Sequence, residues 1–192
     1  MLNEFENLYW PEAVMGIDEA GRGPLCGPLT VAGCVLPAGY ENELINDSKK
    51  LSEKKRESLY QTIINDCLFY KVIFIGPRII DEMNILEATR YAMSDIANSY
   101  KAHILTDAVK LKDINHHPII KGDAKSISIA AASILAKVSR DRYMYYLDQK
   151  YPEYELSKHK GYPTKRHLEL LEKNGVKDFY RYSYKPVSNL LK

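Results

Sequence analysis

The stretch Val14-Met15-Gly16-Ile17-Asp18-Glu19-Ala20-Gly21-Arg22-Gly23-Pro24 decides the fold. Its valine, methionine and isoleucine read as a strand that will be buried. Two adjacent carboxylates end the apolar run, and Gly21, Gly23 and Pro24 read as the loop that follows. A carboxylate buried beside such a strand is costly unless a cation, hydrogen bonds or a raised pKa compensates it. Two readings of Asp18 and Glu19 stand at this point: solvated residues that close a strand, or ligands of a divalent metal ion.

Outward from this stretch, residues 28–36 form a second apolar strand, near enough to be a hairpin partner. Asn46 to Lys50 is a polar turn. Ser52 then caps a helix in which Leu59, Tyr60, Ile63 and Ile64 recur at helical spacing. Leu68 to Ile75 is β-branched and aromatic, hence a strand, stopped by Gly76-Pro77. From Ile79 to about Tyr100 the pattern is helical with a break near Asn84, and Leu86, Thr89, Met93 and Ile96 are expected to face inward. His103 to Thr106 is a short strand that delivers Asp107. His116-His117 reads as a surface loop, and Pro118-Ile119-Ile120 as a brief strand ending in Lys121-Gly122-Asp123. A long helix runs from about Ser126 to Gln149, where Ala130, Ala131, Ala132 and Ala136 allow close packing on a sheet. Pro152 ends it. Pro163 starts the last clear helix, with Leu168 and Leu171 inward and Asn174-Gly175 as its C-cap. Strands early and helices late give an α/β fold, a mixed sheet with a helical C-terminal extension.

The chain of 192 residues suits one domain with a small appendage. No apolar run approaches the ~20 residues that span a bilayer, and the acidic N-terminus shows no secretory signal. Cys26, Cys34 and Cys67 are odd in number and form no Cys-x-x-Cys pair, so they read as free thiols in a reducing cytoplasm. Charge is unevenly spread. Residues 1–120 carry 12 Lys and Arg against 17 Asp and Glu, whereas residues 121–192 carry 15 against 8 and hold nine of the tyrosines from Tyr143 onward. This basic, tyrosine-rich third matches either a phosphate-backbone surface with stacking rings or a solvated helical face. The glycines fit neither a dinucleotide fingerprint nor a Walker A loop, and no nucleophile elbow is present. Ser133 and Ser139 read as packing or surface hydroxyls.

Three apolar segments thus end at acids: Asp18 with Glu19, Asp107, and Asp123. Ligands of α/β sheets gather at strand ends. Four carboxylates there repel one another unless cations sit between them, which is how a two-metal phosphodiester-cleaving site is built. Oxygen-only ligands favour magnesium or manganese over zinc. Each acid taken singly also reads as a cap or turn residue.

The motifs resemble those of ribonuclease HII. Gly16 to Pro24 matches the opening motif. Asn46-Asp47-Ser48-Lys49-Lys50-Leu51-Ser52, Asp81-Glu82-Met83-Asn84-Ile85-Leu86 and Lys121-Gly122-Asp123 follow in the family's order. Ala130 through Val138 with Arg140-Asp141, and His159-Lys160-Gly161-Tyr162-Pro163-Thr164, complete the set. The resemblance spans about Val14 to Val187 and departs at Ala108, where many members have glycine.

This resemblance implies a ribonuclease H-like mixed β-sheet flanked by helices. Residues 1–150 would be the catalytic domain and 151–192 a helical extension contributing to substrate binding. It implies an endonuclease acting on RNA–DNA hybrids and on single ribonucleotides in duplex DNA, cutting 5′ of the ribonucleotide; a monomer is the default for a chain of this kind, with the oligomeric state open. Asp18, Glu19, Asp107 and Asp123 match the family's catalytic acids. Asp18, Glu19 and Asp107 would hold two Mg²⁺ or Mn²⁺ ions, while Asp123 would complete the second metal's shell or orient water. Products would carry 5′-phosphate and 3′-hydroxyl ends. Gly21, Arg22, Gly23, Lys49, Asn84, Lys121 and Tyr162 are the expected substrate-binding residues. Tyr162 would stack at the RNA-to-DNA junction, and Lys49, Lys121, Lys158 and Lys160 would anchor phosphates. A non-catalytic hybrid-binding module and a related metal nuclease with another substrate are the alternatives. The four acids weigh against the first and the Tyr162 segment against the second.

Overall fold

Val14–Ala20 forms β1, the middle strand of a five-stranded sheet in the computed structural model, which describes residues 2–45 and 51–191. Leu29–Val35 (β2) pairs antiparallel with β1, and Phe69–Ile75 (β3) antiparallel with β2. His103–Asp107 (β4) runs parallel to β1 on its other side, and His116–Ile119 (β5) runs parallel to β4. The sheet is therefore mixed, in the order β3-β2-β1-β4-β5. β1 ends just before the Gly21 loop, where the sequence put its end, and Asp18 is buried within the strand instead of solvated at its close. The strand runs on to Ala20, with Asp18 opposite Ala32 and Glu19 opposite Val31.

His116 and His117 correct the expected loop, since both lie in β5, opposite Ile104 and Leu105. A sheet edge tolerates such a polar, proline-containing strand because Pro118 need not donate to a ladder there. The turn expected at Asn46 to Lys50, and Lys49 with it, lies outside the described residues.

Helices cover both faces. Glu53–Asp66 (α1) is capped by Ser52, whose side chain accepts from the Lys55 amide at 3.4 Å. Pro77–Met83 (α2) and Ile85–Ala97 (α3) are separated by Asn84 at φ 66°, which places the helical break where the sequence put it. The buried face of α3 is Ala88, Thr89, Ala92, Met93 and Ile96. Leu86, expected inside, is 37% exposed because Ile85, one step round the helix, takes the packed position.

Ile127–Lys150 (α4) lies on the opposite face, buried through Ala130, Ala131, Ala132 and Ala136. Gly16 explains how closely it approaches β1. A Cβ there would sit 2.1 Å from the Ser128 carbonyl carbon, so only glycine lets helix backbone meet strand backbone. The N-terminal segment clamps the start of α4: the buried Glu6 carboxylate accepts from Ser126 Oγ at 2.5 Å and from the Ser128 amide at 2.9 Å.

Beyond α4 come the short helix Leu156–His159 (α5), Lys165–Asn174 (α6) and Lys185–Ser188 (α7). α6 starts after Thr164, which caps it, so Pro163 lies outside the helix. Leu170 and Leu171 are buried, whereas Leu168 is only partly so. Tyr154, Leu156, Leu171, Phe179, Tyr180 and Val187 pack on Leu25, Cys26, Met144 and Leu147. Gly27 donates to the Phe179 carbonyl at 2.8 Å, and Arg181 to the Leu25 carbonyl at 2.9 Å. The C-terminal helices are thus fastened to the loop that follows β1. Among the described residues, no helix is long and apolar enough to cross a membrane.

Candidate active site

The parallel pairing of β1 with β4 sets Ile17 opposite Thr106, and so brings Asp18 and Asp107 side by side as the next residues along. Asp18 is 5% exposed. Its carboxyl is held well above the usual carboxylate range, first by burial and then by the negative charges of Glu19 and Asp107. Two hydrogen bonds work against that rise: one from Ser133, and one from the Glu19 amide at 2.7 Å from Asp18 Oδ1. Glu19 also meets Arg22, whose Nη1 lies 3.5 Å from Oε1.

Asp107 Oδ1 accepts from the Gly122 amide at 2.8 Å. This ties the end of β4 to the short 3₁₀ turn Gly122–Ala124, which carries the buried Asp123. Lys121 enters the turn in the left-handed region at φ 56°, with its side chain exposed. The structure therefore groups Asp18, Glu19 and Asp107 in one electrostatic field, while Asp123 is joined to them through the Asp107–Gly122 link.

Among the described residues, no three Asp, Glu, His or Cys side chains close round one point as a finished metal cage. Magnesium-type sites seldom need one: such ions keep several waters and take one or two carboxylates plus substrate phosphate oxygens. A buried carboxyl whose proton affinity two neighbouring acids raise belongs to a donor set that a hard divalent cation suits, and nitrogen or sulfur ligands are not part of it.

The loop after β1 completes the site. Gly23 lies beside Tyr162, such that a Cβ on Gly23 would be 3.7 Å from Tyr162 Cε1. The Tyr162 ring is 43% exposed, with the Arg140 guanidinium 6.0 Å from its centroid. Asn84 spends its side-chain oxygen on helix capping, accepting from the Leu86 and Glu87 amides at 3.0 and 3.1 Å.

Two of the expected phosphate anchors have other partners. Lys158 pairs with Glu155 at 2.8 Å. Lys160 is partly buried over the Tyr145 ring, 3.7 Å from its centroid, and donates to the Ser157 carbonyl.

Sequence reasoning missed Ser133, read as a packing hydroxyl. Its role as a donor to Asp18 depends on how far α4 slides along β1, which no local pattern states. It also missed Arg181 and Tyr184, and held Arg140 only as part of a motif with no role; all three lie behind the glycine loop. Arginine in a basic segment reads as surface charge, yet Arg140 and Arg181 are 1% and 0% exposed.

The sequence matches the family described as Ribonuclease HII over residues 15–187. The Ribonuclease HII of Francisella tularensis subsp. tularensis (strain WY96-3418) is 52% identical over 183 residues, covering 93% of this chain and 98% of that protein. The crystal structure of the ribonuclease H2 from Pyrococcus horikoshii OT3 superposes with a TM-score of 0.81 at 30% identity, covering 93% of this chain and 96% of that one. The RNase HII of a PCNA:RNase HII complex from Archaeoglobus fulgidus gives a TM-score of 0.78 at 29% identity, covering 90% and 95%.

Proposed function

The chain belongs to the ribonuclease HII family of metal-dependent endonucleases that degrade the RNA strand of RNA–DNA hybrids, and on that premise we propose that it also nicks duplex DNA on the 5′ side of an embedded ribonucleotide, leaving 3′-hydroxyl and 5′-phosphate ends. The observation that carries the reading is the buried Asp18, charge-opposed by Glu19 and Asp107 and lying at the root of the glycine loop that faces Tyr162. Asp18, Glu19 and Asp107 would hold two divalent ions. When bound, magnesium or manganese would supply Lewis-acid polarisation of the scissile phosphate and a water of lowered pKa.

The chain's own residues position the rest. Ser133 fixes the Asp18 carboxylate by a hydrogen bond, so its lone pairs are aimed before substrate arrives. Asp107 orients the turn that carries Asp123, which would orient the attacking water or complete the ligand set. The Gly21-Arg22-Gly23 backbone would meet the 2′-hydroxyl, the group that distinguishes RNA from DNA. The exposed Tyr162 ring would stack on the sugar or base at the junction. Lys49, Asn84 and Lys121 would contact the backbone of the duplex, giving salt-dependent affinity without sequence preference. The three free cysteines support a reducing compartment, and we place the protein in the cytoplasm as a monomer.

The experiment is to incubate the protein with duplex DNA holding one ribonucleotide, with Mg²⁺ or with chelator, and to map the nick and its end groups. A single metal-dependent cut 5′ of the ribonucleotide with a 3′-hydroxyl is expected. Cutting of the all-DNA control, or a 2′,3′-cyclic phosphate end, would overturn the reading.

A further inference from the structure

Arg181 is wholly buried and, among the described residues, forms no ion pair. Its donors go almost entirely to backbone. Nη2 donates to the Gly21 carbonyl at 2.7 Å and the Gly27 carbonyl at 3.0 Å, and Nε to the Gly27 carbonyl at 3.2 Å. Nη1 donates to the Arg22 carbonyl at 3.0 Å and the Tyr184 hydroxyl at 3.1 Å. Tyr184 itself donates to the same Arg22 carbonyl at 2.7 Å.

Arg140 repeats the pattern one layer away, donating to the carbonyls of Cys26 at 3.2 Å, Pro28 at 3.0 Å and Lys160 at 3.0 Å. Gly21 sits at φ 95°, and a Cβ there would lie 2.2 Å from Arg140 Nε. Taking guanidinium groups out of water without a carboxylate is expensive, and only full satisfaction by well-placed acceptors offsets it. A greasy support would hold a loop at less cost but could not select the direction its peptides face.

Direction is what these bonds set. In a planar trans peptide the C=O and N–H point opposite ways. With the Gly21 and Arg22 carbonyls drawn inward to Arg181, the N–H groups of Arg22 and Gly23 turn outward. No acceptor among the described residues takes either amide.

We propose that Arg181, assisted by Tyr184, is a positioning residue for ribose recognition: it locks two consecutive peptide planes so that the Arg22 and Gly23 amides face the 2′-oxygen of the substrate. The inference rests on the reading of this loop given under Proposed function. It predicts that discrimination between ribose and deoxyribose depends on a side chain that touches neither substrate nor metal.

The test compares binding of the wild-type chain, Arg181→Lys and Tyr184→Phe to two duplexes, one with a single ribonucleotide and one all-DNA. Lysine keeps the charge but cannot serve the Gly21, Arg22 and Gly27 carbonyls together. Phenylalanine removes the hydroxyl that donates to the Arg22 carbonyl and accepts from Arg181 Nη1, and leaves the other Arg181 bonds in place. The expected result is a preference for the ribonucleotide duplex that falls about 10-fold or more in Arg181→Lys and several-fold in Tyr184→Phe, with all-DNA affinity and its salt dependence unchanged. Should Arg181→Lys fail to fold, as judged by circular dichroism, Tyr184→Phe decides alone. A folded variant that keeps the full preference, or loses affinity for both duplexes equally, overturns the inference. Absence of any preference in the wild-type chain overturns the reading beneath it instead.

Discussion

Asp107 and Gly122 are joined by a 2.8 Å hydrogen bond from amide to carboxylate, and through it the end of one strand sets the position of the buried acid on the next turn. The two roles of Asp107, charge and tether, are separable. Asp107→Asn keeps an oxygen for the Gly122 amide and removes a charge that crowds Asp18, so it is expected to stop cleavage while leaving thermal stability at or above that of wild type. Asp107→Ala loses the acceptor as well. Its Tm is expected to fall about 2–4 °C below that of the asparagine variant, corresponding to roughly 1 kcal/mol in a chain of this size. Equal Tm values for the two variants would remove the tether.

Gly16→Ala is expected to destabilise the fold by about 3 kcal/mol or more, because the added methyl would meet the α4 backbone at Ser128 rather than a side chain that can turn aside. Urea unfolding measures it. Wild-type stability in this variant would mean that α4 can be lifted from β1 freely.

The His159–His167 pair gives a pH signature. The rings stack with centroids 4.0 Å apart. His167 Nδ1 bonds the Tyr162 carbonyl and Nε2 the Tyr180 hydroxyl, each at 2.9 Å. Burial first, and then the neighbouring His159, push the His167 pKa down to about 4 from an ordinary 6.5. Between those values the unfolded chain carries a proton that the native state refuses, so stability rises with pH and is lost as pH falls from about 6.5 to about 4. This group alone contributes about 3 kcal/mol across the window. His167→Gln should flatten the slope of unfolding free energy against pH there. An unchanged slope would contradict the burial argument.

Tyr162→Ala is expected to cut the rate at single ribonucleotides roughly 10-fold, within the ~1–3 kcal/mol that base stacking is worth. All-DNA binding and Tm should barely move, since the ring is 43% exposed. Equal losses in binding and cleavage would reassign the ring to general affinity.

Much of this architecture is legible in the chain. The apolar runs of β1 and β2, the helical break at Asn84, the Ser52 cap and the alanine face of α4 all stand where local chemistry puts them. What escapes is long-range. Ser133 reads as filler until the register of α4 on β1 is known. His116 and His117 look like loop because a sheet edge tolerates residues an inner strand would not. The basic C-terminal third shows the same limit. Part of its charge does not face outward to phosphate: Arg140 and Arg181 are buried on carbonyls, Lys160 lies over Tyr145, and Lys158 and Arg166 both pair with Glu155. Composition counts charges but does not say which way they point.

Asp18 sits buried beside two further acids, an arrangement that divalent cations would repay. A group whose folded pKa is raised opposes folding at neutral pH, and protonation on lowering the pH relieves that cost. The decisive measurement is the thermal stability of wild type and Asp18→Asn in chelator and across a Mn²⁺ titration. Asp18→Asn is expected to melt higher than wild type in chelator, and Mn²⁺ to raise the wild-type Tm but not that of the variant. A variant less stable than wild type in chelator, with Mn²⁺ stabilising both equally, would contradict both expectations.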